Sequence, residues 1–326
     1  MNDPVDILGI GNALVDLLVE VDDAFIARHR LPRGDMLLCD AERFAAVHAE
    51  AGPPRSVAHG GNAGNTSGAA AAFGLRARFI GKVAEDALGD LFRRELASAG
   101  VTYDTVALPQ GPLATASCLI LVTPDGQRTG VTHLGACGEL DAGDVSEDAV
   151  AAARLTFLEA YLLDCPRSAA ALHKAAALAR PRGRALALTL SDPTCVARHR
   201  GEILDLLRAG AVDILFGNAS EAIALTGAAG LDAAVAALRV LAPALAITRG
   251  AAGALVVANG AEFEIAAAPA RVVDTTGAGD HFAAGFLVGW LAGLSPARAG
   301  SLGAQAAAAV IGHLGAKPRG KPLRPA

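Results

Sequence analysis

The chain has 326 residues, 52% of them apolar but only 4% aromatic, and a formal net charge of −5. That length suits one large α/β domain or two modest ones, with enough Ala, Leu and Val for a sizeable, closely packed core. No stretch carries the basic stripe that a nucleic-acid backbone requires, so nucleic acid is excluded as a partner. The one mild basic cluster, Lys317, Arg319, Lys321 and Arg324, is interleaved with Pro and Gly and reads as a solvated, frayed terminus. Cys39, Cys118, Cys137, Cys165 and Cys195 lie far apart without a CxxC spacing. Neither a zinc knuckle nor a redox pair is indicated, and reduced thiols in a cytoplasmic protein are expected. Met1-Asn2-Asp3-Pro4 lacks the basic start of a secretion signal. The uncharged stretches 282–294 and 299–316 are too short, or too rich in Ala and Gly, to read as membrane spans. A soluble protein with no membrane partner is expected.

In chain order, Val5 to Ile10 reads as a buried strand ending at Gly9-Ile10-Gly11, and Leu14 to Val21 as a second strand-like run. Ala69 to Phe73 lies in a helical stretch, Ala77 to Ile80 is a strand, and Asp86 to Ala99 is an amphipathic helix with Leu88, Leu91, Phe92 and Leu96 at helical spacing. Ala114 to Gly130 is strand-like again, with Ser117 to Val122 followed by the turn Thr123-Pro124-Asp125-Gly126. Strands are then predicted at Leu155 to Glu159, Ala185 to Leu190, Ile214 to Phe216 and Leu245 to Thr248. Helices fall between them at Ser168 to Ala179, Glu202 to Ala209 and Leu231 to Leu241. This alternation argues for a mostly parallel sheet covered by helices on both faces. The strand-like runs that break it are expected to form a small accessory sheet, a lid, inserted from about 12–40 and 105–135 into a single domain spanning 1–326.

The strongest chemical signal is Val272-Val273-Asp274-Thr275-Thr276-Gly277-Ala278-Gly279-Asp280-His281-Phe282. A strand-like edge runs into a Gly-rich turn, and a helix starts at about Gly279, with Phe282, Phe286 and Trp290 at four-residue spacing. Gly277 and Gly279 free the backbone to aim several N–H groups at one spot on the positive end of the helix, which suits a phosphoryl group in transfer. Asp280, in the first helical turn, is placed to accept a proton from an attacking hydroxyl. A second signal is His59-Gly60-Gly61-Asn62-Ala63-Gly64-Asn65-Thr66, in which glycines let the backbone approach a ligand and Asn65 offers both donor and acceptor for a diol. A third, Gly9-Ile10-Gly11-Asn12-Ala13-Leu14-Val15-Asp16, partly mimics a dinucleotide fingerprint, but Leu14 stands where a small residue belongs. A phosphate-cradling Gly-x-x-x-x-Gly-Lys-Ser/Thr loop is absent, as are a protein-kinase catalytic loop and HExxH spacing among the histidines.

Together these segments resemble the ribokinase-like (PfkB) carbohydrate and nucleoside kinase family over roughly residues 5 to 318. The fold implied is a three-layer α/β/α sandwich with a mostly parallel central sheet and a small β-sheet lid. The activity implied is ATP- and Mg²⁺-dependent phosphorylation of a hydroxyl. By this resemblance Asp280 is the base, and the N–H groups of Gly277, Ala278 and Gly279 form the anion hole. Asn12, Asp16, Gly61, Asn62, Asn65 and Glu159 meet the substrate. Asn218-Ala219-Ser220-Glu221 matches an Asn-x-x-Glu motif that organises Mg²⁺ through water, although Asn218 also suits a plain helix cap. Thr248, Gly250, Gly253 and Thr275 line the nucleotide, Ala304 and Ala308 border its adenine, and Asp274 with Thr276 hold a possible monovalent cation, K⁺. His281 is placed within reach of phosphate or substrate. Gly81-Lys82-Val83-Ala84-Glu85-Asp86-Ala87-Leu88-Gly89 matches a further family stretch whose role is structural.

Segments 121–129, 159–164 and 190–196 look like bacterial adenosine-kinase-like members, and Asn62 stands where ribokinases carry Lys. Gly130-Val131-Thr132-His133 departs from that subgroup. Adenosine, phosphorylated at its 5′-OH to give AMP and ADP, is the first substrate expectation, and a free sugar such as ribose or fructose the second. From other classes, an NAD-dependent dehydrogenase is disfavoured by the broken fingerprint, and a catalytically silent binding protein by the intact Asp280. Either a monomer or a homodimer is compatible with the family.

Overall fold

The computed structural model describes residues 4–317. Of the basic tail, Arg319, Lys321 and Arg324 therefore lie outside the described residues, whereas Lys317 is ion-paired with Glu95 rather than free in solvent.

Nine strands form the main sheet: β1 (Val5–Ile10), β5 (Ala77–Ile80), β6 (Thr102–Tyr103), β9 (Ala153–Glu159), β10 (Ala185–Thr189), β11 (Ile214–Asn218), β12 (Ala244–Thr248), β13 (Ala254–Ala258) and β14 (Ala261–Ile265). Their spatial order is β14-β13-β12-β11-β10-β9-β1-β5-β6. All neighbours are parallel except the β12–β13 and β13–β14 pairs. The central strands are apolar almost without interruption because helices cover both faces. Successive residues nonetheless go to opposite sides with the two-residue period of a strand. Ile7, Leu155, Phe157 and Phe216 pack under the helices Asn62–Ala72, Ala278–Leu291 and Pro296–Val310. Leu8, Leu158, Leu188 and Leu215 pack under Pro166–Ala179, Pro193–Arg208 and Ala219–Thr226. The three-layer α/β/α sandwich is thereby present.

A second sheet holds β2 (Leu14–Glu20), β3 (Met36–Leu38), β4 (Ser56–His59), β7 (Ala116–Val122) and β8 (Arg128–His133) in the order β3-β8-β7-β2-β4. It extends past the anticipated segments by taking in Ser56–His59, while 105–115 gives it no strand. The chain passes from β1 into it after only Gly11-Asn12-Ala13. A dinucleotide turn must enter a helix at that point; here it enters a strand, which removes the structural basis of the dehydrogenase alternative.

Several elements had no expectation in the sequence, among them the helix Ala41–Ala51, a hairpin and the final helix. The antiparallel β13–β14 hairpin follows Gly253, and the final helix Pro296–Val310 is so rich in Ala and Gly that its apolar face is indistinct. The predicted Glu202–Ala209 helix is the second half of Pro193–Arg208, whose backbone leaves helical geometry at His199 (φ −112°, ψ 18°).

Candidate active site

Asn12, Glu159, Asn218 and Thr248 each lie at, or two residues past, the C-terminal end of a parallel strand, the edge where open α/β sheets bind ligands. Above them sits Asp280, third residue of the Ala278–Leu291 helix. Its Oδ1 accepts from Asn62 Nδ2 at 2.7 Å and its Oδ2 from Asn65 Nδ2 at 2.9 Å. Asn62 opens the Asn62–Ala72 helix and Asn65 follows one turn later, so both side chains share a face. Gly61 supplies the sharp entry to that helix with φ +85°, and a Cβ there would lie 2.2 Å from the Asn12 carbonyl. Burial raises the Asp280 carboxyl to about 6, against the two amide hydrogen bonds that favour its ionised form. A carboxylate tuned this way is still ionised at neutral pH yet basic enough to take a hydroxyl proton. The amide oxygens of Asn62 and Asn65 are buried without a protein partner, two unsatisfied acceptors beside Asp280.

Two cavities meet at this carboxylate, and a third begins at the neighbouring Gly279. The first, about 210 Å³, lies between the two sheets and includes Asn12, Asp16, Gly61, Asn62, Asn65 and Asp280 in its wall. Strand register explains its roof: Asp16 pairs with Cys118, Cys118 with Thr132, and Thr132 with Leu38, giving one row across the smaller sheet that lines the cavity throughout. Asp16 is pushed up to about 7, chiefly by burial, with the Arg128 charge opposing and those of Asp280 and Asp274 adding. Met36, Leu38, Leu134 and Tyr161 make the remaining wall largely apolar. Sequence reasoning assigned none of these four, nor Cys118 and Thr132, to the substrate cavity. The only signal for them was the strand pattern itself, because the pairing that aligns them joins residues about a hundred positions apart.

The second cavity, about 70 Å³, adjoins Asp280 and is walled by Asn62, Asn218, Glu221, Thr248 and Gly279 among others. Asn218 and Glu221 form a reciprocal capping box at the start of Ala219–Thr226, so the capping role and the cavity-lining role coexist. Glu221 is 5% exposed and raised to about 7 by burial. A buried acid without a cationic partner beside an electropositive helix end is the donor set that a hydrated divalent ion fits. The third cavity, about 400 Å³, opens from Gly279 and Thr248 and takes in Gly250, Gly253, Thr275, Ala278, Ala304 and Ala308, all named from the sequence. Gly277, with φ +73°, turns the chain into the helix, and a Cβ on it would stand 2.6 Å from that of Ala316.

Three placements differ from expectation. Glu159 is fully buried and does not line the substrate cavity: its Oε1 accepts from Asn12 N–H at 2.9 Å and its Oε2 from Ala63 N–H at 2.7 Å. It caps the Asn62–Ala72 helix from a distance and ties the two substrate-side loops together. His281 is 1% exposed, bonded through Nδ1 to the Gly277 carbonyl at 3.0 Å and packed edge-on against Phe73, away from all three cavities. Asp274 accepts from Thr276 N–H (2.9 Å), Thr276 Oγ1 (2.6 Å) and Gly315 N–H (2.8 Å), and is ion-paired with Arg128 of β8. Three of these contacts fall on Oδ1 and one on Oδ2, which keeps a lone pair, and the ion pair with Arg128 is one that the sequence did not suggest. The Gly81–Gly89 stretch is structural as expected, Asp86 capping the following helix and holding Thr115.

A proton acceptor beside a helix N-terminus, with a cavity on one side that is polar next to the carboxylate and largely apolar beyond it, and a nucleotide-sized cavity on the other, defines a phosphotransferase with an alcohol group as acceptor. Residues 36–322 match the pfkB family carbohydrate kinase family. The adenosine kinase from Sinorhizobium meliloti is 42% identical with a TM-score of 0.93, over 97% of this chain and 96% of that one. The probable sugar kinase from Rhizobium etli CFN 42 is 40% identical with a TM-score of 0.93, over 98% and 96%. The adenosine kinase of Saccharomyces cerevisiae is 28% identical over 302 residues, 86% of this chain and 87% of that protein. The chain belongs to the PfkB family of carbohydrate kinases, and membership implies ATP and, as a rule, Mg²⁺.

Proposed function

We propose that the protein transfers the γ-phosphoryl group of ATP to the 5′-hydroxyl of adenosine, giving AMP and ADP. The observation that carries this reading is the lining of the 210 Å³ cavity: Asn12, Asp16, Asn65 and Asp280 supply its polar groups near the base, and Met36, Leu38 and Leu134 an apolar wall that Tyr161, Thr132 and Asp164 complete. A ribose joined to a flat, largely apolar base matches that division, whereas a free sugar presents hydroxyls on every side and would leave some buried without partners. The adenosine kinases among the similar proteins point the same way.

In this reading Asp16 and the free amide oxygens of Asn62 and Asn65 bind the ribose hydroxyls. Asp280 then accepts the 5′-hydroxyl proton as the new O–P bond forms and the bond from the γ-phosphorus to the ADP oxygen breaks. The proton leaves Asp280 for solvent after product release. The first-turn N–H groups from Gly277 to Gly279 take up charge on the transferring group, where positioning and electrostatics supply most of the rate. Asn218 and Glu221 would hold the divalent ion through water, and bound there it would offset the negative charge of the phosphate oxygens. The smaller sheet acts as the lid that excludes water. The five free cysteines suit a reducing compartment, and we place the enzyme in the cytoplasm. An ADP-release assay over adenosine, other nucleosides and a panel of free sugars tests the substrate. Faster turnover of ribose or fructose than of any nucleoside would reject it.

A further inference from the structure

Among the described residues, only Arg30, Ser191 and Asn259 have a positive φ without being glycine. Arg30 and Asn259 are exposed, the first just past a helix end and the second in the turn of the β13–β14 hairpin. Ser191, with φ +73°, is half-buried just beyond the C-terminal end of β10. The chain closes tightly around it, the Asp192 N–H donating to the Leu190 carbonyl at 3.0 Å. With a positive φ at its centre, this three-residue turn is the rare and strained form of the γ-turn. Glycine would adopt it without penalty.

The serine side chain has no structural employment in that turn. Asp192 caps the following helix through Oδ1, which accepts from the Thr194 and Cys195 N–H groups at 2.6 and 2.8 Å. Leu188 and Leu190 pack into the core on one face of β10, while Thr189 and Ser191 reach the 70 Å³ cavity beside Asp280. There the Ser191 Oγ is buried without a protein partner, on a wall shared with Asn218 and Glu221. That volume suits a few waters and is too small for a sugar or a base. Strained backbone and an unsatisfied buried oxygen are both features that collect at functional sites. We propose that the Ser191 hydroxyl joins Asn218 and Glu221 in holding the hydrated divalent ion. Its oxygen accepts from a metal-bound water, and its own hydrogen is left to turn toward a phosphate oxygen. This rests on the kinase reading and adds a residue that lies in none of its motifs.

Mn²⁺ binding to the enzyme–ADP complex, followed by electron paramagnetic resonance, tests the proposal without turnover. Ser191→Ala should weaken Mn²⁺ binding about two- to tenfold, the range of one hydrogen bond, and leave KM for adenosine unchanged. Ser191→Gly should weaken it equally while raising Tm, because glycine relieves the turn. A serine kept for the turn alone would show the gain in Tm and no loss of Mn²⁺. Unchanged Mn²⁺ affinity in both variants, or a Tm that does not rise in Ser191→Gly, would overturn the proposal. Glu221→Gln separates the two possible failures. If it weakens Mn²⁺ binding and Ser191→Ala does not, only the role of Ser191 falls; if neither does, the metal reading of this cavity falls with it.

Discussion

The two large cavities meet at the Ala278–Leu291 helix and are built on opposite principles. On the acceptor side carboxylates and amides converge, two of the amides with a buried oxygen that no protein group satisfies; on the donor side alanines and small turns make a smooth slot. Unpaired polar groups punish a wrong ligand heavily, while smooth walls punish it lightly.

Substitutions on the acceptor side should break this contrast most severely. Asp280→Asn removes the base while keeping the shape, and should lower kcat by roughly 10²–10⁴ with little change in KM for either substrate; steady-state kinetics with nearly intact turnover would refute the role. Asn65→Ala deletes both a donor to Asp280 and an open acceptor. A loss of about 1–3 kcal/mol is expected, read as a fall in kcat/KM for adenosine with KM for ATP unmoved. At the boundary between the cavities, Gly277→Ala forces a Cβ into left-handed backbone against Ala316. It should cost about 1–2 kcal/mol from the backbone alone, lowering both Tm and turnover.

pH separates the two sides in another way. Asp280 at about 6, and Asp16, Glu159 and Glu221 at about 7, all titrate above the usual carboxylate range because of burial. The native state therefore holds more protons than the unfolded chain between about pH 4 and 7, and stability declines as pH rises through that window. His281, lowered to about 4 by burial, opposes this with one group against four. Activity runs the other way, because the base must be ionised. Between pH 5.5 and 8, Tm should fall while kcat/KM rises, and Asp280→Asn should be more stable than the natural chain at pH 8. Parallel rise of both quantities would show that these acids are not buried as described.

Much of this was legible in the chain because phosphoryl transfer needs local devices. The turn from Asp274 to Asp280, the Gly61–Asn65 helix start and the Asn218–Glu221 cap are each set within a few residues, where the conformational freedom of glycine and side-chain capping act directly. Glu159 was misread for the opposite reason. A glutamate at a strand end looks the same whether it meets a sugar or two backbone N–H groups, and one of its partners, Ala63, is 96 residues away.

By itself the sequence determined the alternation of strands and helices, and the place of Asp280 in the first turn of a helix with glycines before it, since period, turn chemistry and helix termini are short-range properties. Tertiary structure alone decided which residues line the substrate cavity. Asp16, Cys118, Thr132 and Leu38 become neighbours only through strand register. Likewise only the fold brings Arg128 to Asp274 and two asparagines to Asp280, because such contacts depend on how distant segments close around one another and leave no periodic trace in either segment.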